Sequence, residues 1–545
     1  MIARRFQMID GAVPWPADVV AYYRGKGLWQ DRNLGNLLRE WAQAHGERTA
    51  LVDGEVRLSY AELDGRTNTL AAGLLDLGLA AGDRIVLHLP NGIDFFVTLF
   101  ACLKAGVLPI LALPAHRRNE IEYLCRHAEA RAYVIPDRHE HFDYQSLAKE
   151  VQAAVPCVAY VLVAGEHDDY TALRGLAGRT RSLSEPDAGD VAFFLLSGGT
   201  TGLPKLIPRT HNDYLLNLKL ASDNAQLDER SVYFAALPVA HNYALGCPGV
   251  LGVLAAGGTA VLATQASPED ALPLMNRHGV TVTGLVPALA ILWMDAVEAG
   301  ASPPPTLDLV QVGGSRFSDE AARRFRRLFP CRLQQSFGMA EGLLCQTRYN
   351  DPDEVVTTTQ GRPLSAADEI CIVDDHDKPV APGEIGHLLT RGPYTIRGYY
   401  RAPAYNDASF TADGFYRSGD LIRLTADGNV VVEGRVKDVI NRGGDKIPVE
   451  DVESHLLAHP AVRETALVSV PDPIMGERSC AYVVPRGERP KPIVLARFLH
   501  DKGLAPFKIP DRFEIVDALP RTALGKVNKS ELRKRAAEKN KPTST

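Results

Sequence analysis

The chain has no run of about 18 apolar residues that would read as a membrane span, and its mean hydropathy is −0.10. Arg4 and Arg5 stand near its start, but no apolar stretch follows before Asp10, so no secretory leader is expected. Its eight cysteines (Cys102, Cys125, Cys157, Cys247, Cys331, Cys345, Cys371 and Cys480) are scattered without a C-x-x-C pair. That spacing reads as reduced thiols, mostly in the core, and against a disulfide framework or a zinc site. Positive charge is not in excess: 60 Lys and Arg against 66 Asp and Glu leave −6. No general attraction to nucleic acid or anionic lipid follows from such a balance. A cytoplasmic protein with no nucleic-acid or membrane partner is the expectation. No internal repeat stands out.

What is present is globular in texture: 46% hydrophobic and 23% charged residues over a length of 545, enough for three or four domain-sized units. Asn33 to Ala44 carries apolar residues at helical spacing. Thr49 to Gly54 opens a short strand pair, and Ser59 with Glu62 forms a capping box for the next helix. A strand after Gly82, a helix from Asn91 to Ala105 and a strand over Val107–Leu113 then alternate, and the pattern recurs at Ala132–Ile135 and Val158–Val163. A second such unit runs through Tyr233–Leu237, Gly258–Ala263, Val280–Leu285 and Leu307–Val312. Strand–helix–strand at this spacing predicts an α/β fold with open parallel sheets. From about 350 to 434, short strands divided by Pro382-Gly383, Asp413-Gly414 and Asp427-Gly428 turns suggest a small β subdomain. The main boundary is placed after 434. A compact α/β segment follows to about 530, and residues 531–545 are read as a flexible tail.

The stretch Leu196-Ser197-Gly198-Gly199-Thr200-Thr201-Gly202-Leu203-Pro204-Lys205 follows an apolar strand, Val191 to Leu196. Its glycines let backbone N–H groups approach a ligand, and Ser197, Thr200, Thr201 and Lys205 add hydroxyls and a cation, which suits a polyphosphate. It is not a Walker A loop, because Gly202 is followed by Leu203-Pro204-Lys205 rather than Lys-Ser/Thr. The ordered mix resembles the phosphate loop of the adenylate-forming superfamily, which includes acyl- and aryl-CoA synthetases, luciferases and the adenylation domains of nonribosomal peptide synthesis.

Five further stretches resemble the same family, in order, over some 330 residues. Gln335-Ser336-Phe337-Gly338-Met339-Ala340-Glu341 is similar to the motif whose aromatic packs on adenine and whose glutamate helps hold Mg²⁺. Ala340 departs from the Thr or Ser of many relatives; aryl-acid members carry this Met-Ala-Glu version. Tyr416-Arg417-Ser418-Gly419-Asp420-Leu421 is similar to the segment whose aspartate binds the ribose hydroxyls, a task suited to a carboxylate that accepts twice. Gly434 to Asp438 resembles the hinge, with Arg435 on ribose or phosphate and Lys437 as pivot. Arg442 to Glu450 resembles the glycine loop of the second half-reaction, and Pro520 to Lys526 the loop bearing the catalytic lysine. Gly313-Gly314-Ser315, at a strand end, joins the adenine and ribose set.

The resemblance implies a large N-terminal lobe over residues 1–434, a hinge at 435–438 and a small mobile α+β domain over 439–530. It also implies ATP and Mg²⁺, and a two-step reaction. A carboxylate attacks the α-phosphorus of ATP with Lys526 stabilising the spreading charge, and a thiol then receives the acyl group. Amino-acid-activating relatives place an aspartate where Asn242 stands, so an α-amino acid is disfavoured. Pro238 to Tyr243 with Cys247-Pro248-Gly249 resembles the stand-alone aryl-acid ligases of siderophore pathways. Cys247 and Leu344 stand where dihydroxybenzoate enzymes tend to carry Ser and Val, which favours salicylate, whereas Ser336 could supply a hydroxyl partner for 2,3-dihydroxybenzoate. Gly338 lines the same pocket. His241 is either a gate to the acceptor tunnel or a supporting histidine. The expected acceptor is the phosphopantetheine of an aryl carrier protein supplied by another molecule. The alternatives are an aryl-CoA ligase using free CoA, or a nucleotide-binding sensor without catalysis.

Overall fold

The computed structural model describes residues 9–167, 169–179, 186–197, 204–436, 439–442, 445–472, 475–502, 504, 506–522 and 525–538. Three of the sequence-predicted groups lie outside them: Gly198 to Gly202 of the phosphate loop, Lys437 of the hinge, and Gly443-Gly444. Among the described residues no helix is long and apolar enough to cross a membrane.

Two α/β sheets form the large lobe. The first has seven strands in the order Leu206–Thr210, Val191–Leu196, Leu108–Leu111, Arg84–Leu87, Ala132–Pro136, Tyr160–Ala164 and Thr171–Ala172. All its pairs are parallel except the first, where the chain returns antiparallel after the phosphate loop. The second sheet has nine strands. It runs from Arg362–Pro363 through Leu344–Gln346, Arg332–Gly338, Leu309–Gly313, Val282–Leu285, Val232–Ala235 and Thr259–Leu262 to the hairpin Thr49–Asp53 and Val56–Ser59. The N-terminal hairpin thus joins a sheet built from residues some 200 positions later: Leu51 pairs Ala260 in parallel register. Between the sheets lies the helix Ile93–Ala105, buried at 11 of its 13 positions, which is why it is apolar on every side. The helix Tyr60–Asp76 packs beside it and begins at the expected capping box, with Ser59 N–H donating to Glu62 Oε2 at 2.8 Å.

A four-stranded antiparallel sheet, Glu369–Val373, Gly386–Arg391, Tyr416–Leu424 and Val430–Arg435, makes the small β unit. Arg362–Pro363, within the span expected to belong to it, edges the nine-stranded sheet instead, with Pro363 pairing Cys345, and Asp353–Thr358 before it is a helix. Short turn-rich elements look alike in sequence whichever sheet they edge, and pairing alone assigns them. The C-terminal unit is a five-stranded sheet with the helices Val449–Leu457, Pro492–Asp501 and Lys529–Glu538. The last helix corrects the expected tail up to residue 538. Leu532 and Ala536, four apart among charged neighbours, are buried, and Tyr482 Oη donates to Leu532 O at 3.3 Å.

One ion pair ties the two large sheets together. Arg209 ends the strand that follows the phosphate loop, and Asp213 lies in the first turn of the helix His211–Asn224. Their side chains are fully buried, with Arg209 Nε donating to Asp213 Oδ1 at 2.8 Å. Asp213 also accepts from Thr210 N at 2.6 Å, and Arg209 Nη1 donates to Ala340 O of the second sheet at 3.1 Å. Removing one partner leaves a buried charge without compensation, so Arg209→Ala is expected to cost about 3–5 kcal/mol. A urea or thermal unfolding series checks this. A loss below about 1 kcal/mol would show that the pair is not a structural tie.

Candidate active site

The chain crosses direction at the strand Val232–Ala235. It leaves this strand for Thr259–Leu262 on one side and later returns to Val282–Leu285 on the other, both parallel. Loops at such a point diverge and leave a crevice beyond the strand ends, where ligands of open α/β sheets bind. The loop leaving the strand carries Pro238 to Tyr243. Asn91, from the first sheet's loops, pins it: Nδ2 donates to Ala235 O and Leu237 O at 3.1 and 3.0 Å, and Oδ1 accepts from Val239 N at 2.8 Å. Gly313-Gly314-Ser315 and Phe337 to Glu341 leave the neighbouring strands on the same side. A Cβ on Gly313 would lie 2.8 Å from Ser336 O and 3.2 Å from the Tyr243 ring, and Gly314 has φ +86°, so both positions need glycine.

The crevice has an apolar, neutral end. Asn242, Tyr243, Cys247 and Leu344 are all buried there. Asn242 Nδ2 lies 3.6 Å from Cys247 Sγ, and Tyr214 Oη 3.0 Å from Asn242 Oδ1. Burial pushes the Cys247 thiol up to about 12, so it is a neutral, weakly polar group. Ser336 Oγ accepts from Gln346 Nε2 at 3.2 Å, and the same Nε2 reaches Cys247 O at 3.3 Å. Leu344 Cδ1 occupies the space over Gly338, 2.9 Å from where a Cβ would stand. The buried hydroxyl of Tyr243 has no hydrogen-bond partner among the described residues.

The other end is charged. Tyr399 Oη donates to Glu341 Oε1 at 2.8 Å, and with its one proton used there it accepts from Tyr416 Oη at 2.9 Å. Lys205 Nζ sits 5.3 Å from the same Tyr399 ring and 3.8 Å from that of Tyr405, so the far end of the phosphate loop is held beside Glu341. Ser197 closes the loop's base: its N–H donates to Lys205 O, and its Oγ accepts from Lys205 N, both at 3.0 Å. Asp420 and Arg435 are direct cross-strand partners in the β unit, and Arg435 Nε donates to Asp420 Oδ1 at 2.9 Å. Burial raises the Asp420 carboxyl, opposed by Arg435. The Arg435 bond leaves Asp420 lone pairs on both oxygens for further donors.

Lys526 reaches this cleft from the C-terminal unit. Its loop is closed by Thr522 N–H donating to Lys526 O at 2.7 Å, and its Cε lies 3.6 Å from the Cβ position of Gly314. Burial, then the Arg435 cation, lower its pKa to about 8, although Asp420 and Glu341 pull the other way. His241 lies near enough to feel the charge: burial, then Lys526, lower its pKa to about 3. Tyr243 N–H donates to His241 Nδ1 at 3.3 Å, so the neutral ring carries its proton on Nε2.

The family "AMP-binding enzyme" matches residues 38–400, and "AMP-binding enzyme C-terminal domain" matches 451–526. The chain belongs to the AMP-binding enzyme family. It is 53% identical to a 2,3-dihydroxybenzoate-AMP ligase of Bacillus subtilis, covering 98% of this chain and 99% of that protein. It is 47% identical to a salicyl-AMP ligase / salicyl-S-ArCP synthetase of Mycobacterium tuberculosis, covering 96% and 94%. The apo structure of Mycobacterium smegmatis MbtA superposes with a TM-score of 0.76 at 43% identity, covering 96% of this chain and 99% of that one. The Bacillus subtilis and Mycobacterium tuberculosis relatives are aryl-acid AMP ligases by name, and this AMP-binding enzyme is of that kind.

The structure brings Lys526, His241, Glu341, Asp420, Arg435, Lys205, Gly314 and the neutral pocket of Asn242, Tyr243, Cys247 and Leu344 to one crevice of this AMP-binding enzyme. Asn91, Arg209, Tyr214 and Tyr399 carry as much of its geometry, and the motifs did not single them out. Each acts through a partner more than 20 residues away, or through a backbone carbonyl on another strand, and such pairs leave no local spacing to read. Lys526 must be charged to stabilise an anion, and its lowered pKa means that the charge is lost as pH rises through about 8. The kcat/KM of the free AMP-binding enzyme for the first half-reaction should therefore fall on a basic limb near pH 8, and Lys526→Arg should abolish that limb whatever its residual rate. A pH profile of pyrophosphate exchange checks this; a flat wild-type profile from pH 7 to 10 would contradict the assignment.

Proposed function

We propose that the chain joins an aryl carboxylic acid, preferentially salicylate, to AMP and then passes the aryl group to a thiol. The observation that carries this is the pairing of a charged nucleotide end with a neutral acid pocket in one crevice. Asn242, an amide, stands where a substrate ammonium would need a carboxylate, while Asp420, Arg435, Glu341 and Lys526 collect at the other end.

In the first step a carboxylate oxygen of the acid attacks the α-phosphorus of ATP. The new P–O bond forms as the bond to pyrophosphate breaks, giving aryl-AMP. Lys526 lies where it can neutralise negative charge shared between the carboxylate and the α-phosphate, an interaction worth about 3–4 kcal/mol for single donors of this kind. Asp420 accepts from the ribose hydroxyls, Phe337 and Gly313 to Ser315 flank the base, and Ser197, Gly198 to Gly202 and Lys205 hold the leaving phosphates. Glu341 is the residue placed to hold Mg²⁺. Among the described residues no cluster of three His, Cys, Asp or Glu could bind a metal by itself. The fit is therefore to an ion that shares one protein carboxylate with the nucleotide's phosphates, the usual mode for this cation. When bound, it neutralises charge on the leaving pyrophosphate.

In the second step a thiolate attacks the acyl carbon and AMP departs. For that, the C-terminal unit, residues 439–538, turns about the 435–438 hinge with Lys437 as pivot and withdraws Lys526. The acceptor we propose is the phosphopantetheine of an aryl carrier protein supplied in trans. His241, neutral with Nε2 as donor, flanks the acyl carbon's side of the crevice.

Salicylate is preferred over 2,3-dihydroxybenzoate on two contacts. Cys247 offers a neutral thiol, a weak partner for a hydroxyl, and Leu344 Cδ1 fills space over Gly338. Pyrophosphate exchange with salicylate, 2,3-dihydroxybenzoate, benzoate and a set of amino acids tests this. Salicylate is expected to have the highest kcat/KM, and Cys247→Ser with Leu344→Val to shift the ratio toward the dihydroxy acid by about tenfold, within the range one pocket contact discriminates. A wild-type preference for dihydroxybenzoate overturns the choice of acid. Exchange with none of the aryl acids overturns the aryl-acid reading and leaves the nucleotide sensor, and thioester formation with free CoA alone makes the protein a CoA ligase.

A further inference from the structure

We propose that Tyr214 is a positioning residue for acid recognition. Its hydroxyl decides which way the Asn242 amide faces, and so restricts the site to acids with a hydrogen-bond acceptor ortho to the carboxyl group. The inference rests on the aryl-acid reading of the pocket.

Tyr214 is fully buried on the helix His211–Asn224, directly after Asp213 of the capping box. Its ring is clamped from two sides. Phe193 meets it edge-on with centroids 4.7 Å apart at 86°, and the Arg209 guanidinium lies 4.8 Å from its centroid. The hydroxyl's place is also fixed from below. A Cβ on Gly246 would lie 2.3 Å from Tyr214 Oη, so this position has no side chain that could displace it. The phenol cannot swing away, and its Oη lies 3.0 Å from Asn242 Oδ1. Burial raises the Tyr214 pKa well above its ordinary value, so the group is a donor throughout the physiological range.

An amide has one acceptor end and one donor end. With Oδ1 taken by the Tyr214 proton, Asn242 turns Nδ2 toward Cys247 Sγ, 3.6 Å away, and toward the pocket. The pocket therefore presents N–H and not C=O. A phenol ortho to a carboxylate donates its hydrogen bond to that carboxylate and leaves its oxygen as an acceptor, which matches. Benzoate has no ortho group to bond. An ortho-amino group matches poorly, because its nitrogen lone pair is drawn into the ring and its hydrogens face an N–H donor. Without the Tyr214 hydroxyl either amide orientation becomes available and the discrimination weakens.

The test uses the full-length enzyme and pyrophosphate exchange with salicylate, benzoate and 2-aminobenzoate. In the wild type, salicylate should exceed 2-aminobenzoate in kcat/KM by at least about tenfold, in keeping with sites built to bond one group; equal values overturn the proposal without any variant being made. Tyr214→Phe is expected to lower kcat/KM for salicylate by about tenfold, chiefly through KM, and for benzoate by no more than about threefold, so the ratio between them falls. Combined with Asn242→Ala, it should lower the ratio no further than Asn242→Ala alone, because both act on one contact. Parallel losses on salicylate and benzoate, or additive losses in the double variant, overturn the proposal and reduce Tyr214 to packing. If the wild type activates no aryl acid, it is the underlying reading that fails.

Discussion

The buried pair of Arg209 and Asp213 is the constraint on which the rest of the crevice depends. Two charges with no exposed surface are tolerable only when every strong donor and acceptor around them is used, and here the surrounding structure supplies the partners. Asp213 takes Arg209 and the Thr210 backbone, and Arg209 spends a further N–H on Ala340 O. The strand leaving the phosphate loop, the helix that follows it and the turn that carries Glu341 are thereby held at one junction. The face of the same guanidinium covers Tyr214, whose hydroxyl meets Asn242. One side chain thus couples the geometry of the phosphate end to that of the acid end.

Charge in the crevice is arranged by the same logic. Asp420 and Arg435 compensate each other across a strand pair, which lets a carboxylate stay in a buried place where it would otherwise take up a proton. Lys526 enters this field from the separate C-terminal unit and is repelled by Arg435 while attracted by Asp420 and Glu341. A cation whose charge is only marginally favoured in the protein gains most from a developing anion nearby. An ammonium held firmly by a resident carboxylate would gain less. Arg486, which bridges Asp295 and Glu298 at 3.2 and 3.8 Å, adds an exposed contact between the C-terminal unit and the large lobe. Exposed pairs of this sort are weak.

Much of the fold was legible because it rests on local periodicity. The capping box of Ser59 and Glu62, the mostly apolar helix over Ile93–Ala105 and the alternation of strand and helix each depend on neighbours within a few residues. The edges of units were less legible. Arg362 and Pro363 pair with Gln346 and Cys345, and the helix at 529–538 covers the last sheet, since turn-rich or charge-rich segments look alike wherever they pack. The motif residues of the crevice were legible too, but as chemistry without geometry: Asp420 and Lys526 were suited to their tasks by type, and nothing in their spacing put them in one field.

By itself, then, the sequence determined the class of fold, the family and the kinds of group in the crevice, because short motifs and 2- or 3.6-residue periods are written in consecutive residues. It did not place Arg435 on Asp420, because the register shifts between Leu421 and Ile422, and the turn at Asp427-Gly428 alone would set Asp420 opposite Gly434. Only the tertiary structure decided that the hairpin at 49–59 closes a sheet begun at 232, that Asn91 pins the loop of His241, and that the Tyr214 hydroxyl meets Asn242. Those contacts join groups 28 to some 200 residues apart. Which strands become neighbours follows from burying all the apolar surface at once, and that is a property of the whole chain that no window of it records.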